Sequence, residues 1–349
     1  SGGDDDTAAP STAVTTTTAA EATTTTVADT TTTTTESTTT TTTVVGDVIR
    51  MPLTGEPIED ESEVPDRPAL VVKISNAPSS VLPQAGLNQA DLVIEEIIND
   101  RATRLAAVFH STEADPVGPV RSGRAQDINL LLALNRPLFA WSGGNPSVTR
   151  AIENSELIEL SALNSPGYYR RSGRSSPNNL YSSTDALWGQ TPDDAEVPPQ
   201  VFEYLLPGAE VPGDPAERIE IVLDNVDARW QYDEASGRYF RWQDGAQHTT
   251  ESAESSSGVE QVWADNVVVM MADYGVNPAD GNPDAQVLGS NPVYVFTGGT
   301  VQQGTWLRFE PTDPFGFFDD VEALNPLGLQ AGRTWLEIPR NVEDVLTWS

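Results

Sequence analysis

The stretch VGPVRSGR at residues 117–124 decides how this chain is interpreted. It follows an apolar segment typical of a short strand, residues 105–109, and precedes residues 127–134, whose broad apolar face predicts a helix. Arg121 and Arg124 are therefore predicted at a helix start, where free N–H groups already carry partial positive charge. Two cations at this end indicate a negative partner. That partner is either an anion held by both arginines and the helix amides, or a pair of carboxylates within the protein.

The segments around this stretch predict an α/β-type N-terminal domain at residues 63–190. Apolar runs of strand length alternate there with helical stretches, which favours layered strands and helices over an all-β fold. The helix from Ser147 to Asn154 has a good N-cap in Asn145 and a good first residue in Pro146. The strands are predicted at residues 69–74, 91–98, 105–109 and 137–141.

A Pro-rich linker at residues 191–217 separates this domain from a second one, in which the apolar residues recur with a different period. From residue 218 to 340 the apolar residues alternate with polar ones, and two hairpins are indicated around Gly237 and the pair Gly298 and Gly299. We expect a β-rich C-terminal domain here, followed by a tail at residues 341–349. The predicted fold class is therefore α+β.

The N-terminal segment, residues 1–62, is predicted to be a disordered Thr-rich stalk. It holds 22 threonines between Thr7 and Thr43 and has no hydrophobic period, so it cannot bury enough apolar surface to offset the entropy of ordering. Its small, acidic start is similar to the sequence that follows the lipidated cysteine of a bacterial lipoprotein, with signal peptide and cysteine outside this numbering. We therefore expect an extracytoplasmic protein anchored to the cell membrane by lipid.

Composition excludes several classes of function. The net charge of -33 opposes binding to nucleic acid phosphates. No cysteine and only two histidines are present, so neither a metal site nor a cofactor is predicted. Asp280, Asn282 and Asp284 begin a calcium-loop pattern, but Ala285 replaces its turn glycine, and a polar hairpin loop is the better interpretation.

Basic residues concentrate between Arg101 and Arg174, where nine arginines face six acids. We predict that three segments of this region converge on one cleft that binds an anion, because ligands collect at the carboxyl ends of strands in α/β layers. Each segment also has a simpler interpretation: internal ion pairs, a tight strand-to-helix turn and an ordinary solvated loop. The predicted ligand-binding residues are Arg104, Arg121, Ser122 and Arg124, then Gly143, Gly144 and Asn145, then Arg170, Arg174 and Asn179.

Two glutamates interrupt an apolar strand and are candidates for acid/base chemistry. Glu95, if it faces a cleft, could have a raised pKa and act as a general acid or base. Buried charges are usually paired, however, so Glu95 and Glu96 are expected to bind Arg101 or Arg104. Whether the protein is an enzyme stays open at this point.

Several short motifs resemble one bacterial family. In the first half they include GPVRS at residues 118–122, the glycine pair at 143–144 and NLY at 179–181; in the second half they include GRTW at 332–335. Residues 67–181 and 219–338 resemble the two domains of the YerB-like bacterial lipoproteins, a family of unknown function. The chain departs from that pattern at Ser75, where aspartate is common, and at Asn178, where histidine often stands.

These observations favour binding over catalysis. We expect a cell-envelope lipoprotein that binds a phosphate- or carboxylate-bearing glycan, with an anionic cell-wall component or an envelope protein as partner. One alternative is a hydrolase of a phosphodiester or acyl bond, in which Arg121 and Arg124 hold the anion and Glu95 is the acid/base. The other is a structural protein whose second domain offers a sheet edge to a partner.

Overall fold

The computed structural model describes residues 48–77, 79–278 and 280–349. Most of the predicted stalk therefore lies outside the described residues. Its last part, residues 48–62, is described and packs on the fold, since Leu53 is buried and Arg50 forms a β-bridge with Pro57. Ordered contacts thus begin earlier in the sequence than residue 63.

The first half of the described chain combines strands with short helices. Its strands are β1 (Leu70–Ser75), β2 (Gln84–Ala85), β3 (Leu92–Ile97), β4 (Thr103–Phe109), β5 (Leu138–Trp141), β6 (Ile158–Ser161), β7 (Tyr169–Arg170) and β8 (Leu180–Tyr181). Its α-helices are α1 (Gln126–Leu131), α2 (Pro146–Glu153) and α3 (Thr184–Trp188). Single 3-10 turns lie at Glu61–Glu63, Ser79–Val81, Leu87–Gln89, Asn99–Arg101 and Leu132–Leu134. The predicted strands and the helix capped by Asn145 are confirmed.

Among the described residues of the second half, the regular secondary structure consists of strands. They are β9 (Asp214–Pro215), β10 (Arg218–Leu223), β11 (Val226–Asp233), β12 (Arg238–Gln243), β13 (Ala246–Gln247), β14 (Thr249–Glu251), β15 (Val259–Gln261), β16 (Trp263–Ala264), β17 (Asn266–Met270), β18 (Asp273–Val276), β19 (Pro283–Gln286), β20 (Gly289–Thr297), β21 (Thr300–Arg308), β22 (Gly316–Asp320), β23 (Asn325–Pro326), β24 (Thr334–Ile338) and β25 (Leu346–Trp348). The α+β class, with a β-rich second half, is confirmed. No helix among the described residues is long and apolar enough to cross a membrane.

One sheet of 12 strands runs through both halves. Its order is β23-β22-β21-β20-β17-β24-β3-β4-β1-β5-β6, with β9 beside β21. The halves meet where β24 pairs in parallel with β3, from Thr334 opposite Leu92 to Ile338 opposite Glu96. A second link is the parallel pairing of β14 with β2. The sequence boundary at residues 191–217 is therefore not a boundary in the sheet.

A hydrophobic core covers each face of this sheet. Val93 and Trp335 belong to the core on one face, together with residues of the smaller sheet β13-β12-β11-β10-β25. Ile94 and Leu336 belong to the core on the other face, which α1 and α2 cover. Residues of the linker join the second core, since Val201 and Phe202 are buried in it. Strands such as β1 and β3 are consequently buried on both faces, which explains their nearly continuous apolar sequences.

Because β24 joins the halves, a substitution that creates a cavity beside this strand should destabilise both halves together. Trp335 is fully buried and its ring lies 5.3 Å from that of Trp230. We expect Trp335→Ala to lower the free energy of unfolding by about 3–5 kcal/mol, the usual effect of truncating a buried aromatic residue. Urea unfolding followed by circular dichroism should show one transition for both halves. Phe309→Ala, at a residue that is 70% exposed, is the control and should change little. Two separate transitions in the wild type would contradict this expectation.

Candidate functional site

Two of the predicted segments, one with Arg121 and Arg124 and the other with Gly143 and Gly144, meet beside the end of β5. The backbone N–H of Ser142 donates to the carbonyl of Arg121 at 2.8 Å, and the N–H of Arg121 donates to the carbonyl of Lys73 at 2.8 Å. Gly123 allows this approach, because a Cβ there would lie 2.8 Å from Ile152 and 3.1 Å from Trp141. The segment 121–124 thus runs between β1 and the loop that holds Gly143 and Gly144.

Three arginines form what we call the arginine cluster: Arg104, Arg121 and Arg124. Arg104 is buried on β4, and its Nη1 donates to the carbonyl of Ser122 at 3.0 Å. Arg124 donates to the carbonyl of Gly123 at 2.9 Å and to Asn99 Oδ1 at 2.8 Å. Within the described residues, none of the three guanidinium groups has a carboxylate within ion-pair distance, and each Nε is buried without a hydrogen-bond partner.

The charges of the arginine cluster act on one another. Burial, and then the charges of Arg124 and Arg121, lower the pKa of Arg104 to about 9. Burial and the charge of Arg124 also lower the pKa of Arg121. Glu96 and Asp127 offset this repulsion only in part, so an added anion would be stabilised by cations that have no directly bound carboxylate.

The nearest carboxylates, Glu96 and Asp127, are bound by Lys73 instead. The Lys73 Nζ is fully buried, contacts Glu96 Oε1 and lies 2.5 Å from Asp127 Oδ1. Asp127 Oδ2 also accepts the backbone N–H of Arg124 at 2.7 Å. The prediction that Glu96 pairs with Arg101 or Arg104 is therefore wrong. Counting all of these groups as ionised leaves four cations and two carboxylates, an excess of positive charge within a strongly acidic chain.

The helix amides do not contribute to this region in the way the sequence suggested. Helix α1 has only six residues, and the Asp127 carboxylate in its first turn takes the N–H of Arg124. At the start of α2, Asn145 Oδ1 accepts the N–H groups of Ser147 and Val148 at 3.0 and 2.9 Å. Asn145 is thus a helix cap and not a free ligand-binding group. Gly143, with φ 73°, closes the turn between β5 and α2.

The third predicted segment, which holds Arg170, Arg174 and Asn179, lies next to the segment of Arg121 and Arg124. Its arginines, however, contact other parts of the chain. Its backbone contacts residue 120, whose N–H donates to the carbonyl of Leu180 at 2.7 Å. Arg170, however, donates to Asn179 Oδ1 at 2.6 Å, and Arg174 donates to the carbonyls of Val81 and Pro83 at 2.6 Å each. No described contact joins Arg170, Arg174 or Asn179 to the arginine cluster. The predicted convergence of three segments is therefore reduced to two.

Glu95 lies on the opposite face of the sheet from the arginine cluster, because neighbouring residues of β3 point to opposite faces. It is fully buried, and its Oε2 is 2.7 Å from Nη2 of Arg241 on β12. Its Oε1 accepts from Asn76 at 2.9 Å and from Thr103 at 2.6 Å. The expected pairing with Arg101 or Arg104 is wrong, and the free carboxylate that an acid/base role requires is not present.

Around Glu95 a buried polar cluster joins the two halves, and the sequence reasoning missed it. Glu337 on β24 stands directly opposite Glu95 in the register, and its Oε1 accepts from Trp230 at 3.0 Å. Arg241 lies between the two carboxylates and donates to His248 Nδ1, which leaves the other ring nitrogen of His248 to donate to Gln84 Oε1 at 2.8 Å. The available signal was the presence of charged residues among the aromatic and apolar residues of the strands RYFRWQ and TWLEI, Arg241 in the first and Glu337 in the second.

Comparisons with known proteins show the family to which the chain belongs. Residues 53–196 match the N-terminal domain, and residues 219–336 the C-terminal domain, of the family described as "Protein of unknown function (DUF3048)". The chain belongs to this family. It is similar to the "Putative lipoprotein YerB" of Bacillus subtilis (strain 168), with 25% identity over 304 residues, which are 83% of this chain and 86% of that protein. The predicted resemblance is confirmed.

The fold is also similar to a solved member of the family. The crystal structure of the YerB protein from Bacillus subtilis superimposes with a TM-score of 0.72 at 22% sequence identity, and the match covers 86% of this chain and 99% of that one. This likeness shows that the two proteins share the overall fold.

Ser75 and Asn178, where the family resemblance led us to expect an aspartate and a histidine, lie in contact with each other. Ser75 Oγ is 3.3 Å from Asn178 Oδ1, and it also donates to the carbonyl of Ala77 at 3.0 Å. The two side chains are 103 residues apart in the sequence. Because one is a hydroxyl and the other an amide, this pair cannot supply a charged acid/base couple.

The buried polar cluster predicts how stability depends on pH. Burial, and then the charge of Glu95, raise the pKa of Glu337 from 4.5 to about 8. Between these values the folded protein holds a proton that the unfolded chain releases, so the free energy of unfolding should fall as pH rises through this window and level off above it. Glu337→Gln should flatten this dependence in urea unfolding measured from pH 5 to pH 9.

A matched control for that experiment is Glu322→Gln, at an exposed residue outside the cluster. It should keep the wild-type slope. Burial, with the neighbouring Asp127, also raises the pKa of Glu96 to about 7, so a smaller slope should persist in Glu337→Gln. A Glu337→Gln protein whose slope equals that of the wild type would show that Glu337 does not hold the proton.

Proposed function

We propose that this protein is an extracytoplasmic binding protein whose arginine cluster takes a phosphate or carboxylate group of a cell-envelope glycan. The observation that carries the proposal is the absence of a carboxylate partner for Arg104, Arg121 and Arg124 within the described chain. Buried cations without a directly bound carboxylate are costly, and an anion that binds them recovers part of this cost through charge-assisted hydrogen bonds.

The surroundings of the arginine cluster favour a single anionic group over an extended polyanion. Arg121 and Arg124 are half-buried and Arg104 is nearly fully buried, so only part of this positive charge is accessible to a ligand. The rest of the chain is strongly acidic and repels additional negative charge nearby. Ser122, whose carbonyl accepts from Arg104, and the loop with Gly143 and Gly144 border the arginine cluster.

Location outside the cytoplasm is part of the same proposal. The relative that matches over 304 residues is named a lipoprotein, and the 22 threonines of the N-terminal segment suit a spacer between a membrane and an envelope ligand. Mass spectrometry of the protein from its native host tests this point. A diacylglycerol-modified cysteine at the N-terminus supports the anchor, and an unmodified terminus contradicts it.

The two alternative functions find less support. The hydrolase requires Glu95 beside the arginine cluster, whereas Glu95 is ion-paired with Arg241 on the opposite face of the sheet. The structural alternative requires an accessible edge in the second half. The edge strand of the large sheet there, β23, has only two residues and includes Pro326, a combination that opposes pairing with another chain.

The binding proposal is tested by the double variant Arg121→Ala with Arg124→Ala. Binding of poly(glycerol phosphate) and of polygalacturonate, measured by isothermal titration calorimetry, separates a phosphate ligand from a carboxylate ligand. We expect the double variant to bind the preferred polymer at least about tenfold more weakly, since each charge-assisted hydrogen bond contributes about 1.5–3 kcal/mol. The melting temperature should change little, because these arginines have no carboxylate partner to lose.

The matched control is the double variant Arg136→Ala with Arg150→Ala, which removes two exposed arginines and the same charge. It should bind like the wild type. A loss of thermal stability without a loss of affinity in the Arg121 and Arg124 variant would mean that these arginines serve the fold. Failure of the wild type to bind either polymer would contradict the proposed function.

A further inference from the structure

Glu96 is a buried carboxylate that lies beside the arginine cluster and has one oxygen without a hydrogen-bond partner. It stands directly opposite Arg104 in the antiparallel pairing of β3 with β4, on the face of the sheet that carries the cluster. Its Oε1 contacts Lys73, but its Oε2 is buried and has no hydrogen-bond partner. A fully buried carboxylate oxygen without a donor is unusual, because burial of such an atom is costly unless it is paired or protonated.

Burial and the neighbouring charged groups shift the pKa of Glu96 in opposite directions. Complete burial, and then the charge of Asp127, favour its protonated form, whereas Lys73 on β1 and the arginine cluster favour its ionised form. These opposing effects leave the pKa of Glu96 at about 7. The titratable and charged groups that face it from the packed elements are Lys73 from β1, Arg104 from β4, Asp127 from α1, Arg124 from the preceding loop and Tyr274 from β18.

We propose that anion binding at the arginine cluster is coupled to the uptake of one proton by Glu96, so that the ligand binds more tightly at mildly acidic than at mildly alkaline pH. This inference rests on the proposed function and adds its regulation. Protonation of Glu96 removes one of the two carboxylates that offset the four cations, and the excess of positive charge rises from two to three. By linkage, an anion placed there raises the proton affinity of Glu96 by the same free energy.

The Oε2 atom explains why the proton goes to this carboxylate. Asp127 uses both of its oxygens, one for Lys73 and one for the N–H of Arg124. Glu96 uses one oxygen and leaves the other free. The second oxygen of Glu96 can therefore take a proton without affecting an existing hydrogen bond, whereas protonation of either Asp127 oxygen would weaken the hydrogen bond that it accepts.

The test is calorimetry of the full chain with poly(glycerol phosphate), and with polygalacturonate as the second probe, at pH 6, 7 and 8. Neither polymer titrates in this range, so a pH dependence belongs to the protein. Each titration is run in two buffers with different heats of ionisation, which measures the protons taken up on binding. We expect uptake of a fraction of a proton near pH 7 and an affinity at least about threefold higher at pH 6 than at pH 8, which corresponds to half a pKa unit.

Variants assign the effect to Glu96. Glu96→Gln imitates the protonated form, so it should bind at pH 8 as tightly as the wild type binds at pH 6, without proton uptake. Glu153→Gln removes one exposed carboxylate from α2 and should keep the wild-type pH dependence. If Glu96→Gln does not fold, Glu337→Gln replaces it: proton uptake and the pH dependence of binding should persist in that variant, and their loss there would overturn the assignment to Glu96.

The possible outcomes separate the two proposals. Wild-type binding that is equally tight at pH 6 and pH 8, with no proton uptake, overturns the coupling and leaves the proposed function in place. A pH dependence that persists in Glu96→Gln also overturns it, because Glu337 or another group must then hold the proton. Absence of binding to both polymers at every pH contradicts the proposed function itself.

Discussion

Two adjacent buried glutamates on β3 set the charge arrangement of this protein. Side chains alternate along a strand, so Glu95 and Glu96 point into different cores, and each must find its own cation. Glu95 is matched by Arg241 from the second half, which helps to hold the halves together. Glu96 is matched by Lys73, the single lysine of the chain, which also takes Asp127. Once Lys73 has bound both carboxylates, the arginines beside them have none left.

Much of the fold could be predicted from local sequence. The apolar run of β1, the cap at Asn145 and the glycine-containing hairpins are local signals, and they report local structure correctly. The junction of the halves was not predictable in this way. The pairing of β24 with β3 joins segments about 240 residues apart, and nothing in either segment encodes its partner.

The candidate site was predictable to a similar degree. The clustering of arginines in an acidic chain indicated Arg121 and Arg124 as site residues. The α/β pattern predicted that the loop at Gly143 lies beside them, as the structure shows. The role of Lys73 was missed, because its position within an apolar strand does not show which carboxylates it reaches. The loop arginines were assigned to the site on composition alone, whereas Arg174 binds backbone carbonyls of residues 81 and 83.

We propose that an anion from outside the chain binds the arginine cluster. This binding can be tested directly with a crystal of the protein that is grown without multivalent anions and then soaked in selenate, with anomalous data collected at the selenium edge. We expect an anomalous peak within hydrogen-bonding distance of the guanidinium groups of Arg121 and Arg124, on the side of Arg104. A map without such a peak, in which these guanidinium groups bind carboxylates of the protein, would contradict it.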